Sequence, residues 1–187
     1  MRLIVRRQHW AWLRLALVAG AAAATSCSSA FAQDQETWRC KTDYGTYTRN
    51  ELDVPRASHV LSGRIWFHSG TVGEEWEPDA HIAFTDSKAP PTSGCYCNGI
   101  RAEIYSGKPD TVIFFMIYNG QSQGFAQAKV GIPITFRLSI DSQGMMTASI
   151  GKTHPVSTSA QLVLPAHDKV FMDCSSGDVS FMNVRAE

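Results

Sequence analysis

Residues Ile134–Gly151 read ITFRLSIDSQGMMTASIG, and this stretch decides the predicted fold. Ile134, Phe136 and Leu138 alternate with polar residues, which is typical of a strand with one face against a core. The segment 141–144 (DSQG) has the composition of a turn, and 145–150 continues as a second strand. The stretch therefore predicts an antiparallel hairpin.

The remainder of the chain repeats this pattern of short strands and turns without helical periodicity. Further strands are predicted at 46–52, 60–68, 81–85, 100–105, 111–118, 123–130, 169–174 and 179–184. Roughly nine to eleven short strands at about ten-residue spacing are typical of a sandwich. The predicted fold class is all-β, an antiparallel two-sheet β-sandwich of the jelly-roll type stapled by disulfides.

The N-terminal residues are predicted to be a signal peptide. Four arginines precede an apolar run of about a dozen residues, too short to span a bilayer, and Ala30–Ala32 is an A-x-A cleavage site. Cleavage before Gln33 leaves one domain, 33–187, secreted or periplasmic and without a transmembrane segment. The alternative is a lipid anchor at Cys27, but the preceding residues match a lipoprotein box only loosely.

Charge argues against two classes of partner. The full chain has 17 basic and 17 acidic residues, and all four charges of the leader are Arg, so residues 33–187 carry a net charge of −4. A mildly acidic chain without Lys/Arg clusters is not expected to bind nucleic acid or an anionic membrane.

Four cysteines remain after the leader: Cys40, Cys95, Cys97 and Cys174. An exported chain is expected to oxidise them, and three pairings are available. The pairing that contains a Cys95–Cys97 bond is the least favourable, because residues i and i+2 of a strand lie about 6.6 Å apart, near the upper limit for a disulfide. We therefore predict that Cys95 and Cys97 each bond to one of the two distant cysteines, in preference to a four-thiolate zinc site.

The hairpin at 134–151 and the final strand 177–184 (GDVSFMNV) resemble the concanavalin A-like (laminin-G-like) sandwiches of lectins and glucanases. The resemblance covers residues 60–187 and includes no catalytic motif. It implies two packed antiparallel sheets, one of them curved, and carbohydrate as the commonest class of ligand.

A shorter segment, 49–52 (RNEL), resembles the Arg-x-Glu-Leu motif of family-seven alginate lyases. That resemblance implies an Arg and a Gln against a uronate carboxylate, with a Tyr and a His in the proton transfer. The Gln-Ile-His motif of those enzymes is absent at 100–102, and their late Tyr-Phe-Lys-Ala-Gly motif is absent as well.

A polar and aromatic face is predicted if strands 64–68, 100–105 and 134–140 share one sheet with their aliphatic residues inward. Aromatic rings can stack on sugar rings, and charged side chains can bond to hydroxyl groups or acidic sugars. An ordinary solvated face with cross-strand ion pairs is the alternative. The candidate ligand-binding residues are Arg64, Trp66, His68, Arg101, Glu103, Tyr105 and Arg137.

Cofactor signals are weak. The acidic loop 74–79 (EEWEPD) offers oxygen donors suited to Ca²⁺ but lacks a recognised calcium-loop spacing. The histidines are scattered and no Gly-x-Ser-x-Gly motif occurs, so no metal site, redox cofactor or catalytic residue is predicted.

The sequence therefore favours an exported β-sandwich that binds carbohydrate or another extracellular ligand. A small polysaccharide lyase or glycoside hydrolase on the same scaffold, and an interaction module without a sugar site, are the alternatives. Binding is preferred over catalysis because no catalytic motif is present.

Overall fold

The computed structural model describes residues 36–73, 76–86, 97–158, 161–162 and 167–187. These described residues form twelve strands, namely β1 (Glu36–Lys41), β2 (Tyr47–Asp53), β3 (Val60–Gly70), β4 (Asp79–Thr85), β5 (Asn98–Ile104), β6 (Thr111–Tyr118), β7 (Gln121–Lys129), β8 (Ile134–Ile140), β9 (Met146–Ile150), β10 (Val156–Ser157), β11 (Lys169–Ser175) and β12 (Gly177–Ala186). The sequence prediction did not include β1 and β10.

The strands make two antiparallel six-stranded sheets. Sheet I has the order β1-β12-β3-β8-β9-β10, and sheet II has the order β2-β11-β4-β5-β6-β7. The predicted all-β two-sheet sandwich is therefore confirmed. No helix within the described ranges is long and apolar enough to cross a membrane.

The core lies between the sheets because alternate residues of the strands are apolar. In β6, for example, Val112, Phe114 and Met116 are buried while their neighbours are partly exposed. The same alternation in β8 places Phe136 and Leu138 in the core. Burial of such side chains contributes about 1.5–3 kcal/mol each, which makes the sandwich the arrangement that removes most apolar area from water.

Two local turns have the geometry that their residues favour. Asn119 and Gly120 adopt φ angles of 49° and 73° between β6 and β7, as an Asn-Gly hairpin turn requires. In the β8–β9 turn, Asp141 Oδ1 accepts hydrogen bonds from the backbone N–H groups of Gln143 and Met145, at 2.8 and 2.9 Å. Gly144 in that turn has a φ of 77°.

A disulfide joins the two sheets, and it differs from the predicted pairing. Cys40 of β1 bonds to Cys174 of β11, with 6.1 Å between their Cα atoms. The predicted bonds from Cys95 and Cys97 to these residues are wrong, because Cys40 and Cys174 bond to each other. Cys97 packs with Ala83 and Phe171 in a separate cluster, away from the core that holds Cys40 and Cys174. Cys97 is disulfide-bonded, and its partner lies outside the described residues, as does Cys95.

We expect the Cys40→Ala/Cys174→Ala double variant to lose about 2–5 kcal/mol in free energy of unfolding, because the bond closes a loop with a sequence separation of 134 residues. Guanidinium denaturation of wild type and double variant measures the difference. Non-reducing peptide mapping of the wild type is the companion measurement. A fragment that links Cys40 to Cys95 or Cys97 would contradict this pairing.

Candidate functional site

Four neighbouring strands place charged side chains side by side on the outer face of sheet II. Arg49 of β2 lies opposite Asp173 of β11, which lies opposite His81 of β4, which in turn lies opposite Arg101 of β5. The chain neighbours of Asp173, His81 and Arg101, such as Met172, are in the core. The period of two in a strand therefore directs these four side chains outward.

Asp173 is the centre of this row and is only 2% exposed. Its carboxylate accepts hydrogen bonds from Arg49 Nη2 at 3.0 Å, from His81 Nδ1 at 2.6 Å and from the Tyr47 hydroxyl at 3.4 Å. Burying a carboxylate is costly unless donors surround it, and three donors do so here. Burial and the negative charge of Asp173 raise the pKa of Tyr47, so its hydroxyl keeps its proton.

The Arg49 side chain contacts two aromatic rings in addition to its ion pair with Asp173. The guanidinium carbon lies 4.2 Å from the centroid of the Phe171 ring and 5.7 Å from that of Tyr47. Such cation–π contacts contribute about 0.5–2 kcal/mol. Arg49 is thus fixed by one ion pair and two rings.

A second row lies beside the first. Asp79 of β4 is opposite both Ser175 of β11 and Glu103 of β5. Ser175 Oγ donates to Asp79 Oδ1 at 2.7 Å, and Arg101 Nη2 donates to Glu103 Oε2 at 2.7 Å. Burial raises the pKa of Glu103; Arg101 lowers it, and the carboxylates of Glu77 and Asp79 raise it.

Two adjoining cavities lie above these rows, with volumes of about 310 and 390 Å³. The first is lined by Tyr47, Arg49, Trp76, Asp79, His81, Phe171, Asp173 and Ser175. The second is lined by Gly73, Trp76, Glu77, Asp79, Arg101, Ser106 and Ser175. Because Trp76, Asp79 and Ser175 belong to both, we treat the two cavities as one groove.

The loop between β3 and β4 fixes Trp76 at the groove. The N–H of Gly73 donates to the carbonyl of Trp76 at 3.3 Å, and the N–H of Ile104 donates to the carbonyl of Pro78 at 2.9 Å. Glu77 Oε1 accepts from the N–H of Ser106 at 3.2 Å. These hydrogen bonds position the loop backbone so that the Trp76 indole, which is 49% exposed, lies at the groove.

The predicted ligand-binding residues do not share one sheet, so that premise of the prediction is wrong. Strands β3 and β8 pair in sheet I, whereas β5 pairs with β4 and β6 in sheet II. Arg101 lines the groove, Glu103 bonds to it, and Tyr105 follows the end of β5. The other four candidates, Arg64, Trp66, His68 and Arg137, lie on the outer face of sheet I.

On the outer face of sheet I, the rings of Trp66 and His68 are in contact, with their centroids 3.9 Å apart and their planes tilted by 39°. His68 Nε2 lies 2.8 Å from Ser180 Oγ, and Ser180 donates to Glu36. Ser180 accordingly accepts from His68, which makes it a bridge between two side chains rather than an activated nucleophile.

Sequence reasoning missed His81, Asp173, Asp79 and Trp76 as site residues. Two signals could have found the first three, and none marks Trp76. Asp173 is a charged residue in the otherwise apolar run 170–174 (VFMDC), and Asp79 and His81 alternate with apolar residues. A buried charge in an apolar strand requires partners, which marks it as part of a polar cluster.

The acidic loop 74–79, whose oxygen donors would suit Ca²⁺, is described only in part, because Glu74 and Glu75 lie outside the described residues. Within the described part of the chain, no group of three or more His, Cys, Asp or Glu side chains is arranged to hold a metal ion. Glu77 instead bonds to the Ser106 backbone.

No protein-family model and no curated protein matches the chain. Solved structures do match. A scytalido-glutamic peptidase with a transition-state analogue inhibitor aligns with a TM-score of 0.55 at 12% identity, over 75% of this chain and 79% of that one. A sialidase aligns with a TM-score of 0.52 at 14% identity, over 80% of this chain and 15% of that one.

An alginate lyase from Pseudomonas aeruginosa aligns with a TM-score of 0.47 at 11% identity, over 71% of this chain. The match spans 65% of the lyase, less than two thirds of its length. At such identities the likenesses concern the fold alone, the two-sheet antiparallel β-sandwich already described.

The raised pKa of Glu103 predicts a pH dependence of stability. Between the pKa of Glu103 in the unfolded chain and its higher pKa in the folded protein, the folded state keeps a proton that the unfolded chain releases. The contribution of this proton to the free energy of unfolding is complete below the unfolded-state pKa and is lost as pH rises through the folded-state pKa. We expect the free energy of unfolding of the wild type, minus that of Glu103→Gln, to decrease across this window. Urea denaturation at a series of pH values measures it.

Asp53→Asn is the matched control, because the Asp53 side chain is 93% exposed at the edge of the same sheet. A pH dependence for Glu103→Gln no larger than that measured for Asp53→Asn would contradict the raised pKa of Glu103.

Proposed function

We propose that the protein binds a saccharide chain in the groove on the outer face of sheet II. The observation that carries this proposal is the combination of exposed aromatic rings with a floor of fixed hydrogen-bonding groups. Aromatic faces cover the apolar faces of sugar rings, and polar groups on the floor bond to hydroxyl groups. This is the lectin-like use of the fold that the sequence resemblance implies.

The exposed aromatics gather around the groove. The large hydrophobic side chains that are exposed within the described residues are Tyr44, Tyr47, Trp76, Tyr105 and Ile132. Tyr47 and Trp76 line the groove directly. The Tyr44 ring packs against Gly73 and Tyr105 precedes Ser106, and both Gly73 and Ser106 line the second cavity. Two exposed rings therefore line the groove, and the Tyr44 ring adjoins it at Gly73.

The predicted export of the domain supports a polymeric ligand that is found outside the cytoplasm. The predicted signal peptide would place the domain in the periplasm or outside the cell, where a disulfide between Cys40 and Cys174 persists. Polysaccharides are abundant there, and the two adjoining cavities of the groove can each receive part of a chain.

Cleavage of the bound chain is the second candidate function, and His81 favours it. Its Nδ1–H donates to the buried Asp173, which leaves Nε2 at the groove as a general base. Tyr47, whose hydroxyl also bonds to Asp173, is a proton donor beside it. Arg49 comes from the segment that resembles the alginate lyase motif.

We expect Trp76→Ala to weaken binding of the recognised polysaccharide at least tenfold, because it removes a stacking surface worth about 1.4 kcal/mol or more. Trp66→Ala, the same change on the outer face of sheet I, is the matched control and is expected to bind like wild type. Affinity electrophoresis measures both, with melting temperatures recorded. The opposite ranking would move the site to sheet I.

If the groove cleaves its ligand, His81→Gln should abolish product formation while binding is retained. Release of reducing ends reports hydrolysis, and ultraviolet absorbance of an unsaturated product reports elimination from uronate polymers. His59→Gln, outside the groove, serves as the control. A wild-type protein that binds but forms neither product would leave binding as the function.

A further inference from the structure

Three polar atoms converge where the two cavities of the groove meet. Asp79 Oδ2 lies 3.6 Å from Arg101 Nε and 4.0 Å from His81 Nε2. Both distances exceed a hydrogen bond. The Arg101 Nε–H is buried and has no hydrogen-bond partner within the part of the chain that the structure describes. A buried donor without an acceptor is costly, so this point is suited to an incoming group.

The roles of these atoms define which group fits. Asp173 can only accept, so His81 donates through Nδ1, and its Nε2 is an acceptor when the ring is neutral. Asp79 Oδ2 is an acceptor and Arg101 Nε–H is a donor. A hydroxyl group satisfies this set because it accepts from Arg101 while it donates to Asp79 or His81.

Charged ligand groups fit the same point poorly. A carboxylate only accepts, so it would face the lone pairs of Asp79 and His81. An ammonium group only donates, so it would face the Arg101 N–H. Neither can satisfy both sides of the point at once.

The arginines of the groove are also already paired. Arg49 bonds to Asp173 and Arg101 bonds to Glu103. With Glu77 and Asp79 added, the described groove residues and Glu103 supply four carboxylates against two guanidinium groups, a formal charge of −2 with neutral His81. An anionic polymer is therefore repelled, and no unpaired arginine of the described groove is available to its carboxylates.

We propose that the groove selects a neutral, hydroxyl-rich saccharide over polyuronates and amino sugars, and that Asp79 and Arg101 are the specificity-determining residues. This inference rests on the proposed function. It departs from the acidic substrate that the resemblance of 49–52 to alginate lyases implies.

The test compares three classes of polymer at equal ionic strength: soluble neutral glucans and mannans, alginate with polygalacturonate, and chitosan oligosaccharides. Affinity electrophoresis and calorimetry are expected to give at least tenfold tighter binding for a neutral polymer. Tighter binding of a polyuronate or of chitosan overturns the inference but leaves saccharide binding in place. Binding of none of them overturns the proposed function and the inference together.

Arg101→Lys is the sharpest variant, because it keeps the positive charge and removes the Nε–H. We expect about tenfold weaker binding of the neutral polymer with an unchanged melting temperature. Asp79→Asn is expected to weaken it similarly, and Asp53→Asn is the exposed control. Unchanged affinity in both groove variants overturns the assignment of the two residues.

Discussion

The Cys40–Cys174 bond is the constraint on which the arrangement of the two sheets depends. It joins β1 of sheet I to β11 of sheet II from within the core, where both sulfurs are buried. One residue before Cys174, Asp173 points to the opposite side of the same strand. The strand that fixes the sandwich internally therefore also fixes the centre of the groove externally.

The floor of the groove is rigid because its charges are paired before any ligand arrives. Arg49, Asp173 and His81 form one set, while Arg101 and Glu103 form another. Ordering long side chains on binding costs conformational entropy, and in this groove the side chains are already ordered by folding. The exposed rings of Tyr47 and Trp76 then supply contact area at low entropy, since each has only two side-chain torsions.

Local features of the fold could be predicted from the sequence, and long-range ones could not. The alternation of apolar and polar residues in 134–150 and the turns at Asn119 and Asp141 depend on neighbouring residues, so the sequence alone indicates them. Which sheet a strand joins depends on partners far along the chain. Strands 64–68 and 100–105 show similar alternation, yet they lie in different sheets, and this divided the predicted site. The direction in which the Cys97 side chain faces could not be predicted either, because it depends on which sheet the adjoining strand β5 joins.

The position of β11 has a consequence for the order in which the groove forms. This strand comes from residues 169–175, yet it lies between β2 and β4, from residues 47–53 and 79–85. Strands β4, β5 and β6 follow one another in the sheet and can pair early, but Arg49 and His81 meet Asp173 only after residues 169–175 have been synthesised. The floor of the groove is thus assembled later than the β4–β6 part of the sheet, and a chain truncated before β11 lacks the buried carboxylate at its centre.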